Sequence, residues 1–132
     1  MKKQLGYKGK VIRGNKEGKQ FVSLPWVRKQ MNMKLGFDPY LGTLNLLLLD
    51  EANNYELRNA KGIKIESKIG YYEGKCFEAI IMEEIKAVVV LPLIPDYPVN
   101  LLELISPVNL RKTLRINDGD IIQITVNLQN AE

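Results

Sequence analysis

Apolar residues in this chain come in short alternating runs, each closed by glycine, proline or an Asn/Asp pair. That rhythm constrains the fold more than any other feature, because short alternating runs are the mark of half-buried strands. The longest apolar run, Ala87 to Pro95, contains a proline and falls far short of the ~20 residues a membrane-spanning helix needs. Tyr7 to Ile12 and Gln20 to Leu24 read as two strands joined by the polar loop Arg13 to Lys19. Leu41 to Leu49 is apolar on one face and carries Thr43 and Asn45 on the other. Ile63 and Ile65 alternate in a weaker stretch, and the runs Phe77 to Met82, Lys86 to Leu93 and Leu101 to Ile105 follow. Ile122, Ile124 and Val126 alternate after the turn Asn117-Asp118-Gly119-Asp120.

Two segments follow a helical period instead. Pro25 suits a first helical turn, Val27, Met31 and Leu35 share one face, and Gly36 is a natural C-cap. Ser106-Pro107 reads as an N-cap followed by proline at the first helical position, opening a short helix through Leu114. Prolines 92, 95 and 98 make the stretch before Leu101 an irregular loop. At 132 residues, with 45% hydrophobic and 26% charged residues, the chain predicts one compact domain spanning 1–132. A mostly β domain of many short strands hides its edges best as a small closed barrel, here with two short helices. The N-terminus has lysines but no apolar segment after them, so a cytoplasmic protein without a membrane association is expected.

Composition removes much chemistry. With no histidine, Ser-His-Asp and Cys-His nucleophiles and histidine metal sites are excluded. One cysteine, Cys76, permits no internal disulfide and no thiolate cluster, and its apolar neighbours predict a buried side chain. What remains is chemistry by positioning and electrostatics, with a hard cation held by oxygen. The net charge of +4 and pI near 9.1, with basic residues densest near the start, suit a polyanion such as a nucleotide. A solvated basic face explains the same composition.

Four groups are candidates for function. The loop Gly14 to Lys19 resembles a phosphate-binding loop but is one residue short, has Gln20 where a Ser or Thr would hold magnesium, and is predicted between strands. Such a hairpin still offers backbone N–H groups to an anion, with Lys16 and Lys19 adding charge. Thr43 and Asn45 put a hydroxyl and an amide side by side, either as polar groups that face solvent or satisfy a loop by hydrogen bonds, or as magnesium ligands, since that ion often takes only one or two protein oxygens. Glu103 is a carboxylate among leucines, which must be paired or functional if buried. Arg111 is an anion ligand or a surface charge. Asp118 and Asp120 are explained by turn chemistry alone.

In order along the chain, these pieces resemble the archaeal CTP-dependent riboflavin kinase family. The resemblance rests on G-x-V-x-x-G-x-x-E-G at Gly9 to Gly18 and L-G-F-D-P-Y-L-G-T-L-N-L at Leu35 to Leu46. It continues in E-L-I-S-P-V-N-L-R at Glu103 to Arg111 and in L-x-I-N-D-G-D-I-I-x-I at Leu114 to Ile124. It implies a six-stranded cradle-loop barrel that transfers the γ-phosphate of CTP to the 5′-hydroxyl of riboflavin, giving FMN and CDP. It places the nucleotide against Ile12, Arg13, Gly14, Asn15, Lys16 and Glu17, and against Val108, Asn109, Leu110, Arg111, Lys112 and Thr113. It assigns Mg2+ to Thr43 and Asn45, and the flavin to Pro95 and Glu103. Arg13 and Lys16 stand where the family usually has serine and glycine, and Pro95 where relatives carry a flavin-contacting threonine.

The reading is therefore a magnesium-dependent kinase with riboflavin/FMN and CTP/CDP as its small-molecule partners, expected as a monomer. Glu103 is the candidate to orient or deprotonate the acceptor hydroxyl. The alternatives are a kinase of another small alcohol, a nucleotide- or flavin-binding module without catalysis, and a DNA-binding barrel.

Overall fold

The computed structural model describes residues 3–14, 22–40, 42–68, 70 and 72–128. Its strands are β1 (Gln4–Ile12), β2 (Leu44–Leu48), β3 (Ile63–Ile65), β4 (Gly74–Ile81), β5 (Ile85–Pro92), β6 (Leu101–Ile105) and β7 (Ile121–Asn127). Its helices are α1 (Pro25–Leu35), α2 (Tyr55–Asn59) and α3 (Leu110–Leu114). The strands pair antiparallel in the order β3-β4-β5-β6-β2-β1-β7, and β4 also pairs with β7. That last pairing closes β4, β5, β6, β2, β1 and β7 into a six-stranded barrel. One edge of β4 serves two neighbours: Gly74 to Cys76 take β3, and Ala79 to Ile81 take β7.

Alternation decides what fills the barrel. Leu44, Leu46 and Leu48 of β2, Leu102 and Leu104 of β6, and Ile122, Ile124 and Val126 of β7 all point into one core. Val89 and Leu91 of β5 join them, whereas Val88 and Val90 face outward into a second cluster with Cys76, Ile65 and Ile105. α1 covers that cluster with Val27 and Met31, so β5 is buried on both faces and runs without a polar residue from Ala87 to Pro92. The Cys76 thiol is pushed up to about 12 by burial, which leaves it an inert hydrophobe. α1 ends as expected at Gly36, whose φ of 81° is left-handed. It also shields the free edge of β3: Gln30 exchanges hydrogen bonds with the backbone N–H and C=O of Glu66, and Lys34 Nζ donates to the Lys64 carbonyl.

Three expectations need correction. The described part of Gln20 to Leu24 is not a strand, because Val22 and Ser23 are helical and the Leu24 carbonyl accepts from the N–H groups of Val27 and Arg28. Val22 is fully buried in the cluster under α1, and that tertiary packing overrides its β propensity. Among the described residues a further short helix, α2, joins the two expected ones: it follows Asn53-Asn54, where the Asn53 carboxamide oxygen accepts from the Tyr55 N–H. The last helix starts at Leu110 with Asn109 as its cap, while Ser106 Oγ accepts from the Val108 N–H in a separate turn.

Asn54 is wholly buried and ties α2 to the loop before β6. Its Nδ2 donates to the carbonyls of Pro98 (2.9 Å) and Leu101 (3.0 Å), and its backbone N–H donates to that of Val99. Asn54→Ala removes both side-chain hydrogen bonds and leaves a cavity at a wholly buried position, and is expected to cost about 2–3 kcal/mol, or roughly 10 °C of melting temperature. An unchanged thermal melt would show that the amide contributes nothing there. No helix among the described residues is long and apolar enough to cross a membrane.

Candidate functional site

The barrel brings the candidate residues together by register. Ile12 pairs with Asn45, Asn45 with Glu103, and Glu103 with Val90. Because their strand neighbours fill the barrel, these side chains all stand on its outer face, with Asn45 and Glu103 on adjacent strands about 5 Å apart at Cα. Beyond Val90 lies Cys76 and the apolar cover of α1. Glu103 therefore sits where a polar surface meets an apolar one, and both it (3% exposed) and Asn45 (4% exposed) are buried.

Asn45 is held in one orientation. Its Nδ2 donates to Thr43 Oγ1 (3.1 Å) and to the Thr43 carbonyl (3.2 Å), which leaves the amide oxygen to accept. Gly14 lies against this amide so closely that a Cβ at position 14 would collide with it. This close approach is why the loop after β1 needs glycine at this place. Gly14→Ala is expected to displace either the loop or the Asn45 amide, lowering activity by an order of magnitude or more with a small change in melting temperature, by analogy with misplaced catalytic groups. Wild-type kinetics in that variant would show that the contact is passive. Among the described residues no cluster of three or more His, Cys, Asp or Glu is placed to hold a metal ion. The Thr43–Asn45 pair instead suits a hard cation that takes a few neutral protein oxygens and completes its shell with phosphate and water.

On the other side of Thr43 is a cavity of about 150 Å³ lined by Tyr40, Thr43, Ser106, Val108, Asn109 and Arg111, among others. Two hydrogen bonds fix its walls: Asn109 Nδ2 donates to the Tyr40 hydroxyl (3.1 Å), and the Tyr40 N–H donates to the Ser106 carbonyl (2.8 Å). Arg111 bridges two elements, donating to the Ile12 carbonyl (3.0 Å) and pairing with Asp118 (2.6 Å). Asp118, explained from sequence by turn chemistry alone, thus also holds the arginine that closes the site. Leu110 is buried in the barrel core at the cavity's edge, whereas Val108, Lys112 and Thr113 are exposed. Arg13 is exposed at the end of β1, and Asn15, Lys16 and Glu17 lie outside the described residues.

Pro95 lies exposed in the loop between β5 and β6, and the same loop carries Tyr97, whose hydroxyl donates to Glu103 Oε2 (2.9 Å). Sequence reasoning missed Tyr97 and Tyr40. Tyr40 lies inside the motif Leu35 to Leu46, but Tyr97 had no signal beyond an aromatic residue beside prolines in a loop, which is too general to single it out. Two larger grooves, one of about 390 Å³ lined partly by Leu35, Phe37, Ile80 and Lys86 and one of about 460 Å³ lined partly by Arg28, Lys29 and Asn32, contain none of the candidate residues.

Residues 11–126 match the sequence profile of the CTP-dependent riboflavin kinase family, described as a domain of unknown function, DUF120. The chain is 38% identical to a riboflavin kinase of Ignicoccus hospitalis, over 94% of this chain and 72% of that protein. It is 42% identical to a riboflavin kinase of Archaeoglobus fulgidus, over 92% of this chain but only 54% of that protein. It is 38% identical to a riboflavin kinase of Sulfurisphaera tokodaii, over 96% of this chain and 98% of that protein. The chain thus spans little more than half of some of these proteins and nearly all of another.

Proposed function

This chain belongs to the CTP-dependent riboflavin kinase family, and from that premise we propose that it transfers the γ-phosphate of CTP to the 5′-hydroxyl of riboflavin, releasing FMN and CDP. One observation supports this above the others. Thr43 lines the cavity, Gly14 lies against the amide of Asn45, and the buried carboxylate of Glu103 stands opposite Asn45 on the next strand. Donor, cation and acceptor sites then follow one another within a few strand spacings.

In this reading the nucleotide lies against Gly14, the exposed end of β1 and the segment Val108 to Thr113. The cavity has room for part of a nucleotide, and the phosphates extend from it toward Thr43 and Asn45. Mg2+ held by Thr43 Oγ1 and Asn45 Oδ1 would neutralise charge on the β- and γ-phosphates. Glu103 accepts a hydrogen bond from the riboflavin 5′-hydroxyl and aims its lone pair at the γ-phosphorus. As the new O–P bond forms, the bond from the γ-phosphorus to its bridging oxygen breaks. CDP leaves with that oxygen, and the hydroxyl proton passes to Glu103 and then to water. A loose phosphoryl-transfer transition state asks for orientation and charge neutralisation more than for a strong base, which is consistent with a chain that has no histidine.

Arg111 acts by bracing: it joins the end of β1 to the turn at Asp118, and so fixes the two segments between which the nucleotide lies. The test is an assay of purified protein with magnesium, riboflavin and each of the four common nucleoside triphosphates. FMN should appear with CTP and far less with purine nucleotides. If CTP binds tightly but riboflavin is not phosphorylated, the acceptor is another alcohol. If CTP produces no thermal shift while duplex DNA binds with steep salt dependence, the barrel is a nucleic-acid binder.

A further inference from the structure

We propose that Tyr97 is a positioning residue for the acceptor half of the reaction: its hydroxyl fixes the rotamer of the Glu103 carboxylate, and α2 holds Tyr97 in place. The proposal rests on the reading of Glu103 given above. A buried glutamate on a strand has three rotatable side-chain bonds, and its usefulness to an acceptor hydroxyl depends on where its oxygens point. Tyr97 donates to Oε2 at 2.9 Å, which turns the other oxygen, Oε1, away from the phenol. Burial, together with the neighbouring carboxylate, pushes the phenol far above the ordinary tyrosine range, so it remains a donor at any working pH. A protonated phenol against a buried carboxylate is a charge-assisted hydrogen bond, among the stronger kinds available.

Tyr97 itself sits in a loop with no regular structure, which alone would be a poor platform. α2 supplies the missing rigidity. Asn54 holds the carbonyls of Pro98 and Leu101, Arg58 Nη2 donates to the Ile94 carbonyl (3.3 Å), and the Tyr97 N–H closes a turn onto that same carbonyl (3.1 Å). The loop is pinned on both sides of Tyr97, and its ring packs against the barrel core. A helix of five residues that sequence reasoning missed thus has a role in the site: it clamps the loop that aims the carboxylate.

The test is a double-mutant cycle on the full chain, with Tyr97→Phe, Glu103→Gln and the pair together. Phenylalanine keeps the ring packing and removes only the hydroxyl. Tyr97→Phe should lower kcat about tenfold with riboflavin as acceptor and leave the KM for CTP unchanged. In the Glu103→Gln background the same change should have almost no further effect, which a merely structural role would not produce. Arg58→Met, which releases the Ile94 carbonyl but leaves the hydroxyl, should show a smaller loss of the same kind. If Tyr97→Phe is fully active, or costs the same factor in both backgrounds, Tyr97 does not act through Glu103 and the proposal is overturned. If Glu103→Gln alone is fully active, the reading of Glu103 falls and takes this one with it. The two failures are distinguished by which single variant keeps its activity.

Discussion

Asn45→Leu is expected to lower phosphoryl transfer by two to three powers of ten while the barrel stays folded. Leucine nearly matches asparagine in volume, and position 45 is flanked by Leu44 and Leu46 on a strand that already tolerates an apolar run. The lost hydrogen bonds go to Thr43, which is half-buried next to the cavity and so within reach of water. Stability should therefore change by no more than about 1 kcal/mol. Catalysis has no such substitute. On the proposed magnesium assignment, losing one of two cation ligands would remove charge neutralisation at the transferred phosphoryl, an effect of about 3–4 kcal/mol in comparable electrostatic sites. Asn45→Asp separates ligation from hydrogen bonding, because it keeps the oxygen, adds charge and gives up the donor to Thr43. It should retain measurable activity and reach half-maximal rate at lower magnesium. A fully active Asn45→Leu variant with an unchanged magnesium requirement would remove the metal assignment, whatever the fate of the rest of the site.

Much of the barrel was legible because period-two alternation survives wherever one face of a strand meets a single core. β7 is the clearest case: Ile122, Ile124 and Val126 point inward, and Ile121 and Gln123 remain exposed. The failures came where a second cluster lies outside the barrel. Val22 alternates like a strand residue yet is buried under α1, because that position is decided by packing into a cluster that includes Val88 and Cys76, distant in sequence. α2 was missed for a different reason. Five residues are too few to show a helical period, and the helix exists because Asn54 and Arg58 bind a loop some forty residues away.

The site was legible as a set of residue types and not as a geometry. Thr43 and Asn45 announced themselves as polar positions in an apolar strand, and Glu103 did the same in β6. That Asn45 and Glu103 stand opposite each other depends on β2 pairing with β6, a register that no local pattern reveals. Gly14 was noticed as part of a loop, but its reason, the close approach to the Asn45 amide, is a long-range contact. Asp118 looked like plain turn chemistry. Asp120 is indeed used that way, accepting from the Asn117 N–H, whereas Asp118 is turned to Arg111.

Glu103→Gln is expected to separate activity from stability in opposite directions. The carboxylate is 3% exposed, so the fold carries the desolvation of a charge that the barrel does not need. Glutamine keeps the shape and still offers an oxygen to the Tyr97 hydroxyl, so the variant should melt at the same temperature or a few degrees higher. Activity should fall. A positioned acid–base group contributes roughly 10²–10⁴-fold in general, and a loose transition state uses the lower end of that range. A loss in kcat of about a hundredfold is therefore expected, with little change in the KM for CTP, since the role proposed for Glu103 is on the acceptor side. Residues held for structure lose stability when replaced, whereas residues held for chemistry often gain it. If Glu103→Gln turns over riboflavin at the wild-type rate and unfolds more easily, the carboxylate belongs to the architecture, and the acceptor hydroxyl must be oriented by something else.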